Sequence, residues 1–273
     1  MENDPALTPR VERIAEGVFV RLAVDNMAWI DLGDSAVVVD ALEQPELEGE
    51  VFAAIESTWR GQDARDTDST TFGGVRYVLN THGHYDHVAL NDAFRRRWGA
   101  EVIGQPAAGL PPQGRWFEGP RRKLLMLPLP GCHTQEDCVV WLPEDKVLFV
   151  GDIFGWGLVP ATRLDDKVAR LLVAAYERLI AFGPKVVVPG HGPLCGEKEL
   201  RRWVEYFRWL VAQVVRARAE GLDDARTRQA AAPPDDMKHW WRFLDWKHED
   251  SLTRTMAAVR SGRLKCVPDR QRG

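Results

Sequence analysis

The run Thr81-His82-Gly83-His84-Tyr85-Asp86-His87 places three histidines and an aspartate within six residues, in a chain that has only seven histidines. Imidazole and carboxylate groups in close spacing are the ligand set of zinc, and also of iron or manganese. In an extended segment His82 and His84 project to the same side, so both can reach one ion. Asp86 and His87 follow where the chain turns toward a helix, and can face a second, adjacent ion. A surface loop holding three histidines by chance is the bland reading, and the clustering argues against it. Three more ligand-type residues recur beside glycine after apolar strands. They are His133 in Gly131-Cys132-His133-Thr134, Asp152 in Gly151-Asp152 and His191 in Gly190-His191-Gly192. Glycine there permits tight backbone turns around a site.

These residues need strands to deliver them. Alternating and apolar runs predict strands over residues 17–22, 28–32, 35–40 and 75–80, the last ending at the histidine run. Further strands are expected over 101–103, 123–129, 138–142, 147–150 and 185–188. Helices are expected over 45–59 (proline at its first position), 89–98, from Asp165 as N-cap to 182, and 197–220 with one apolar face. Two more helical stretches follow, the last over 249–259. Loops are expected over 61–74 and over the Pro/Gly-rich 105–120. The tail 265–273 is expected to fray. Strand ends opening into loops are where α/β proteins place their chemistry.

Composition narrows the class. The 273 residues are 45% hydrophobic and 28% charged, with a formal net charge of −4. That fits a globular protein with a developed core and gives no global pull toward nucleic acid or anionic membrane. The clusters Arg95-Arg96-Arg97 and Arg121-Arg122-Lys123 read as solvated faces. The N-terminus has no basic and apolar leader pattern, and no apolar run approaches the ~18 residues of a membrane span. Cys132, Cys138, Cys195 and Cys266 form no close-paired motif and read as free thiols. A cytoplasmic protein is therefore expected.

Taken together, the motifs resemble the metallo-β-lactamase superfamily. The matching elements are His82-x-His84-x-Asp86-His87, His133 in Gly-Cys-His-Thr, Asp152 in Val-Gly-Asp and His191 in Pro-Gly-His-Gly, in the family order over residues 13–195. The resemblance implies an α/β fold, a four-layer αββα sandwich, here over residues 1–196, with a helical extension over 197–273 that caps the site or dimerises. It implies that His82, His84 and His133 hold one metal, that Asp86, His87 and His191 hold a second, and that Asp152 bridges both. Asp40, at the end of an early strand, would orient the ligand loop by hydrogen bonds. An aspartate at 152 departs from true β-lactamases of the superfamily. It looks like the glyoxalase II, lactonase, phosphodiesterase and ribonuclease Z branches.

The implied chemistry uses two divalent ions, zinc first and iron or manganese as alternatives. Held roughly 3.5–4 Å apart, such ions share a water and lower its pKa toward ~7, giving hydroxide at neutral pH. Asp86 or Asp152 could pass a proton to the leaving group, although ligation lowers their basicity. A small-molecule ester, lactone or thioester is the expected substrate. Candidate pocket segments are Asp25-Asn26-Met27, the loop at Trp116-Phe117 and residues 153–157. Trp156 and Trp116 would supply an apolar wall and Tyr85 a hydroxyl. The alternatives are a phosphodiesterase or nuclease, an iron-dependent persulfide dioxygenase and a weak β-lactamase. A nuclease would want a basic groove, which the sequence does not show.

Overall fold

A computed structural model describes residues 8–63, 72–104 and 110–266. Much of the loop expected over 61–74, the start of that over 105–120 and most of the tail lie outside them. Two compact units emerge, each discontinuous in sequence.

The first unit takes Met1–Pro130, Glu136–Asp152 and Lys185–Leu194. It contains two sheets. One is ordered β1 (Arg10–Ala15), β2 (Val18–Leu22), β3 (Met27–Asp31), β4 (Ala36–Val39), β5 (Val75–Leu79) and β6 (Glu101–Ile103). Its first four strands are antiparallel, while β4, β5 and β6 run parallel. The second sheet is ordered β11 (Val186–Pro189), β10 (Val147–Gly151), β9 (Cys138–Leu142), β8 (Lys123–Pro128) and β7 (Arg115–Glu118). Here β10 and β11 are parallel and the rest antiparallel.

Strand alternation decides what each face buries. Val18, Val20, Ile30, Val37, Val39 and Leu79 of the first sheet share one core with Phe117, Met126, Val140, Phe149 and Val188 of the second. The intervening residues Phe19, Trp29, Val38 and Val78 point the other way. They pack on Val51, Phe52, Ile55 and Trp59 of α1 (Glu48–Asp63) and on Ala93 and Phe94 of α2 (Asn91–Trp98). The first sheet is thus apolar on both faces, which is why its strands read as continuous apolar runs. The unit is layered helix, sheet, sheet.

Two expectations need correction. Residues 115–118 form β7, not loop. Gly114 (φ +84°) turns the chain in against β8, where an added Cβ would meet a Leu125 methyl at 2.8 Å, and Phe117 then drops into the core. Proline and glycine on either side hid a strand of only four residues. The helix expected from residue 45 begins as a 3-10 turn over Pro45–Leu47 and becomes α-helical at Glu48.

The second unit takes Gly131–Gln135, Ile153–Pro184 and Cys195–Gly273. It carries α3 (Asp166–Ala181), α4 (Glu197–Ala219), α5 (Asp224–Ala230) and α6 (His248–Arg260). Asp165 caps α3 by accepting the Val168 N–H at 2.9 Å, as its place before the apolar pattern predicts. Trp203 of α4 stacks on Tyr176 of α3 at 3.9 Å between ring centroids, and its Nε1–H donates to Leu158 O. Among the described residues no helix is long and apolar enough to cross a membrane.

Candidate metal centre

The site forms where β5, β10 and β11 end. The chain leaves β5 through buried Asn80, Thr81 and His82, then makes a 3-10 turn over Tyr85–His87. β10 delivers Asp152 immediately after Gly151, and β11 delivers His191 after Pro189-Gly190. The parallel β10–β11 pairing carries both residues to the same sheet end.

The side chains converge. The ligand atoms of Asp86, His87, Asp152 and His191 all lie within 4.8 Å of one another, and those of His82, His84 and Asp152 do likewise. Asp152 belongs to both groups. Its Oδ1 is 3.4 Å from His87 Nε2, while its Oδ2 is 3.4 Å from His191 Nε2 and 4.0 Å from His82 Nε2. Asp86 Oδ2 lies 3.1 Å from His191 Nε2 and 3.7 Å from His87 Nε2. His82 Nε2 and His84 Nδ1 are 3.1 Å apart, so the extended spacing does bring these rings together. His133 falls in the second unit, where its Nδ1 is 3.1 Å from Pro160 O.

Hydrogen bonds set the tautomers. His87 Nδ1 donates to Asp40 Oδ2 at 2.9 Å and His191 Nδ1 to Val24 O at 2.9 Å. Both Nε2 atoms are thereby turned toward carboxylate oxygens. His87 Nε2 is buried and has no hydrogen-bond partner. A neutral ring there would hold its Nε2 lone pair among carboxylate oxygens, which is unfavourable unless a proton or a metal cation lies between them. That buried nitrogen is the observation by which the residues fit a divalent metal ion.

The electrostatics agree. Burial alone would discharge His191, but its contacts with Asp152 and Asp86 raise its pKa to about 10. Burial opposes the charge on His87 too, and Asp40 and Asp152 push its pKa well above the ordinary value. Burial would raise Asp86, yet His191 and His87 bring it down to about 2. Asp152, raised by burial, is held well below the usual carboxylate range by the same two histidines. The site selects anionic carboxylates beside cationic partners, a role that ring protons or metal ions can fill.

Glycine makes room for this. A Cβ on Gly190 would collide with Asp152 Oδ1 and come within 2.8 Å of His87 Cε1. A Cβ on Gly151 (φ +51°) would meet Thr81.

Several contributors left no usable signal in the sequence. Thr81 ties the histidine run to Asp40 through its N–H (2.7 Å) and its Oγ1 (2.9 Å). Asn80 donates to His87 O and exchanges hydrogen bonds with Asn91. Asp40, expected to orient this loop, accepts the Thr81 N–H and the His87 Nδ1–H, with its own backbone at φ +60°.

The residues expected to meet substrate sit differently from one another. Tyr85 is 60% exposed at the site's 3-10 turn. Trp116 is 47% exposed, but on β7, at the opposite edge of its sheet from β11. Trp156, in the second unit, is 8% exposed and packs edge-on against Phe154 and Trp240. Asp25 and Asn26, expected in a pocket loop, are buried.

The family model of the metallo-beta-lactamase superfamily matches residues 24–130 and 106–191, more than half of the chain. The chain belongs to the metallo-beta-lactamase superfamily. Its α/β fold, two sheets with helices and further C-terminal helices, is the fold of that superfamily, as the motifs implied. A hydroxyacylglutathione hydrolase of Rhizobium meliloti (strain 1021) is 32% identical over 117 residues, 40% of this chain and 44% of that protein. A protein of the same name from Brucella ovis is 30% identical over 125 residues, 42% of this chain and 47% of that one. The chain thus spans less than half the length of the curated relatives it matches. Among solved structures, a metallo-beta-lactamase from Pontibacter korlensis superposes with TM-score 0.53 at 20% identity, covering 74% of this chain and 99% of that one. The inverting sec-alkylsulfatase Pisa1 from Pseudomonas sp. gives TM-score 0.60 at 14% identity, covering 91% and 50%. At those identities the superpositions speak for the fold alone.

Proposed function

We propose that this chain is a metal-dependent hydrolase that cleaves a small carboxylic ester, lactone or thioester, with two divalent ions, zinc first, as its cofactor. The observation that carries this reading is Asp152, whose two oxygens face different histidines and which is common to both ligand groups. His82, His84 and His133 would hold one ion, Asp86, His87 and His191 the other, with Asp152 shared. His133 enters on its place in the order of motifs. Divalent ions in such a site supply Lewis acidity and lower the pKa of coordinated water.

The protein's own groups do the rest. Asp40 and the Val24 carbonyl hold the two histidine rings by their Nδ1–H groups, which fixes Nε2 toward the centre. Tyr85, exposed on the 3-10 turn beside the candidate ligands, would contact substrate. Among the bond types, a thioester is favoured, because the matched relatives are named for cleaving a hydroxyacyl group from glutathione.

The test is elemental analysis of the purified protein, coupled to a panel of thioester, lactone, ester, phosphodiester and β-lactam substrates with oxygen consumption followed in parallel. Two equivalents of metal and thioester or lactone turnover are expected. Protein that takes up no metal from zinc-supplemented medium overturns the reading. Oxygen consumption without hydrolysis would replace it with an oxidoreductase.

A further inference from the structure

The loop that carries His191 is held from the opposite sheet by a turn that contains one buried amide side chain. Asn26 lies in the turn between β2 and β3 and is 3% exposed. Its backbone N–H donates to Gly190 O at 2.8 Å. Its Nδ2 donates to Pro189 O at 2.9 Å and to Gly192 O at 2.7 Å. Its Oδ1 accepts the Ala23 N–H at 3.3 Å. Both amide protons, the amide oxygen and the backbone N–H are therefore used, and three of the four groups close on the carbonyls that bracket His191. Two residues earlier, Val24 O receives the Nδ1–H of His191 itself. The same turn thus grips the backbone on either side of the ligand and the back of its ring. Asp25 Oδ2, accepting the Glu43 N–H at 3.3 Å, ties the turn to the segment that follows β4.

We infer that Asn26 is a positioning residue for the metal held by Asp86, His87, Asp152 and His191, acting through the backbone of residues 189–192. This rests on the metal-hydrolase reading above. The hydrogen bonds of the Asn26 side chain go to backbone groups, those of Ala23, Pro189 and Gly192. What it determines is where the His191 Cα sits and whether the ring stays against Val24 O. Without the amide, the Pro189 and Gly192 carbonyls lose buried donors, and the loop keeps only the Asn26 N–H to Gly190 O bond and the Val24 carbonyl as hydrogen-bonded ties to this turn. The His82 and His84 side of the site is built on β5 and does not depend on this clasp, so the effect is confined to one ion.

The experiment is a zinc titration of the chelator-stripped full chain against a competing indicator that resolves each equivalent. Wild type, Asn26→Ala, Asn26→Ser and His191→Ala are compared, with thermal unfolding of each stripped protein as the folding control. In Asn26→Ala, one zinc equivalent should weaken by about 10–100-fold while the other stays within about threefold of wild type. The pattern should match the equivalent lost in His191→Ala. Should Asn26→Ala fail to fold, Asn26→Ser decides, since its hydroxyl fits the space but cannot reach both carbonyls. Both equivalents unchanged, or both weakened alike, overturns the positioning role while leaving the hydrolase reading intact. A wild-type chain that binds fewer than two equivalents overturns both.

Discussion

Asp40 Oδ2 lies 2.9 Å from His87 Nδ1, while the other oxygen of the same carboxylate accepts the Thr81 N–H at 2.7 Å. One buried carboxylate at the end of β4 therefore orients a ligand ring and fixes the backbone at which the histidine run begins. Asparagine tolerates the left-handed backbone of this position almost as well as aspartate does. Its amide would keep one acceptor but turn an NH₂ toward a donor. Asp40→Asn should weaken metal binding about 10–100-fold, read by chelator competition. Asp40→Ala should in addition cost about 1–3 kcal/mol in chemical denaturation, because the Thr81 N–H is left buried without an acceptor.

Removing a proposed ligand separates the metal mechanism from any other. Asp152→Ala takes away the carboxylate shared by both groups, and His84→Ala removes a ligand from one. Each should bring hydrolysis to the assay background, with metal content falling in parallel. Full turnover by either variant contradicts the two-metal mechanism.

Gly190 offers a purely steric test. Its added methyl would press on Asp152 Oδ1 and on His87 Cε1 at 2.8 Å, with backbone on one side and ligands on the other. Gly190→Ala should therefore reduce metal content without altering any ligand. Elemental analysis of the folded variant checks it, and a fully loaded Ala variant would show that the ligands can yield.

The pH dependence follows from the histidines. With its pKa raised to about 10, His191 is protonated at neutral pH in the stripped protein. Its folded value exceeds its ordinary 6.5, so its contribution to the stripped protein's stability is complete below pH 6.5 and is lost as pH climbs through about 10. Zinc must displace that proton. Binding near pH 7.5 should release protons, and affinity should rise with pH toward about 10. Calorimetry in buffers of different ionisation enthalpy measures the release directly.

Trp203 tests the second unit. It is fully buried, stacks on Tyr176 and Phe207, and donates to Leu158 O. Trp203→Ala should cost about 3–5 kcal/mol in chemical denaturation.

The candidate ligands were legible in the sequence because metal ligation needs particular side chains, and four of them sit within six residues. The strands that deliver them were legible because apolar runs of about four to six residues ending in glycine and polar residues have few other uses. Asp165 at the start of α3 was readable for the same local reason. β7 was not, since four residues between prolines and glycines acquire strand character only by pairing with β8.

Tertiary structure alone decided how the ligands are held. Asn26 reaches Gly192 O across 166 positions, and Val24 offers His191 a backbone carbonyl that any residue would carry. Such contacts leave no period or spacing to read, because hydrogen bonds between distant strands depend on where two sheets bring their ends together. The sequence by itself determined which atoms could ligate a metal. Only the packed sheets decided which nitrogen of each ring faces inward, and that Asp152 turns one oxygen to His87 and the other to His82 and His191.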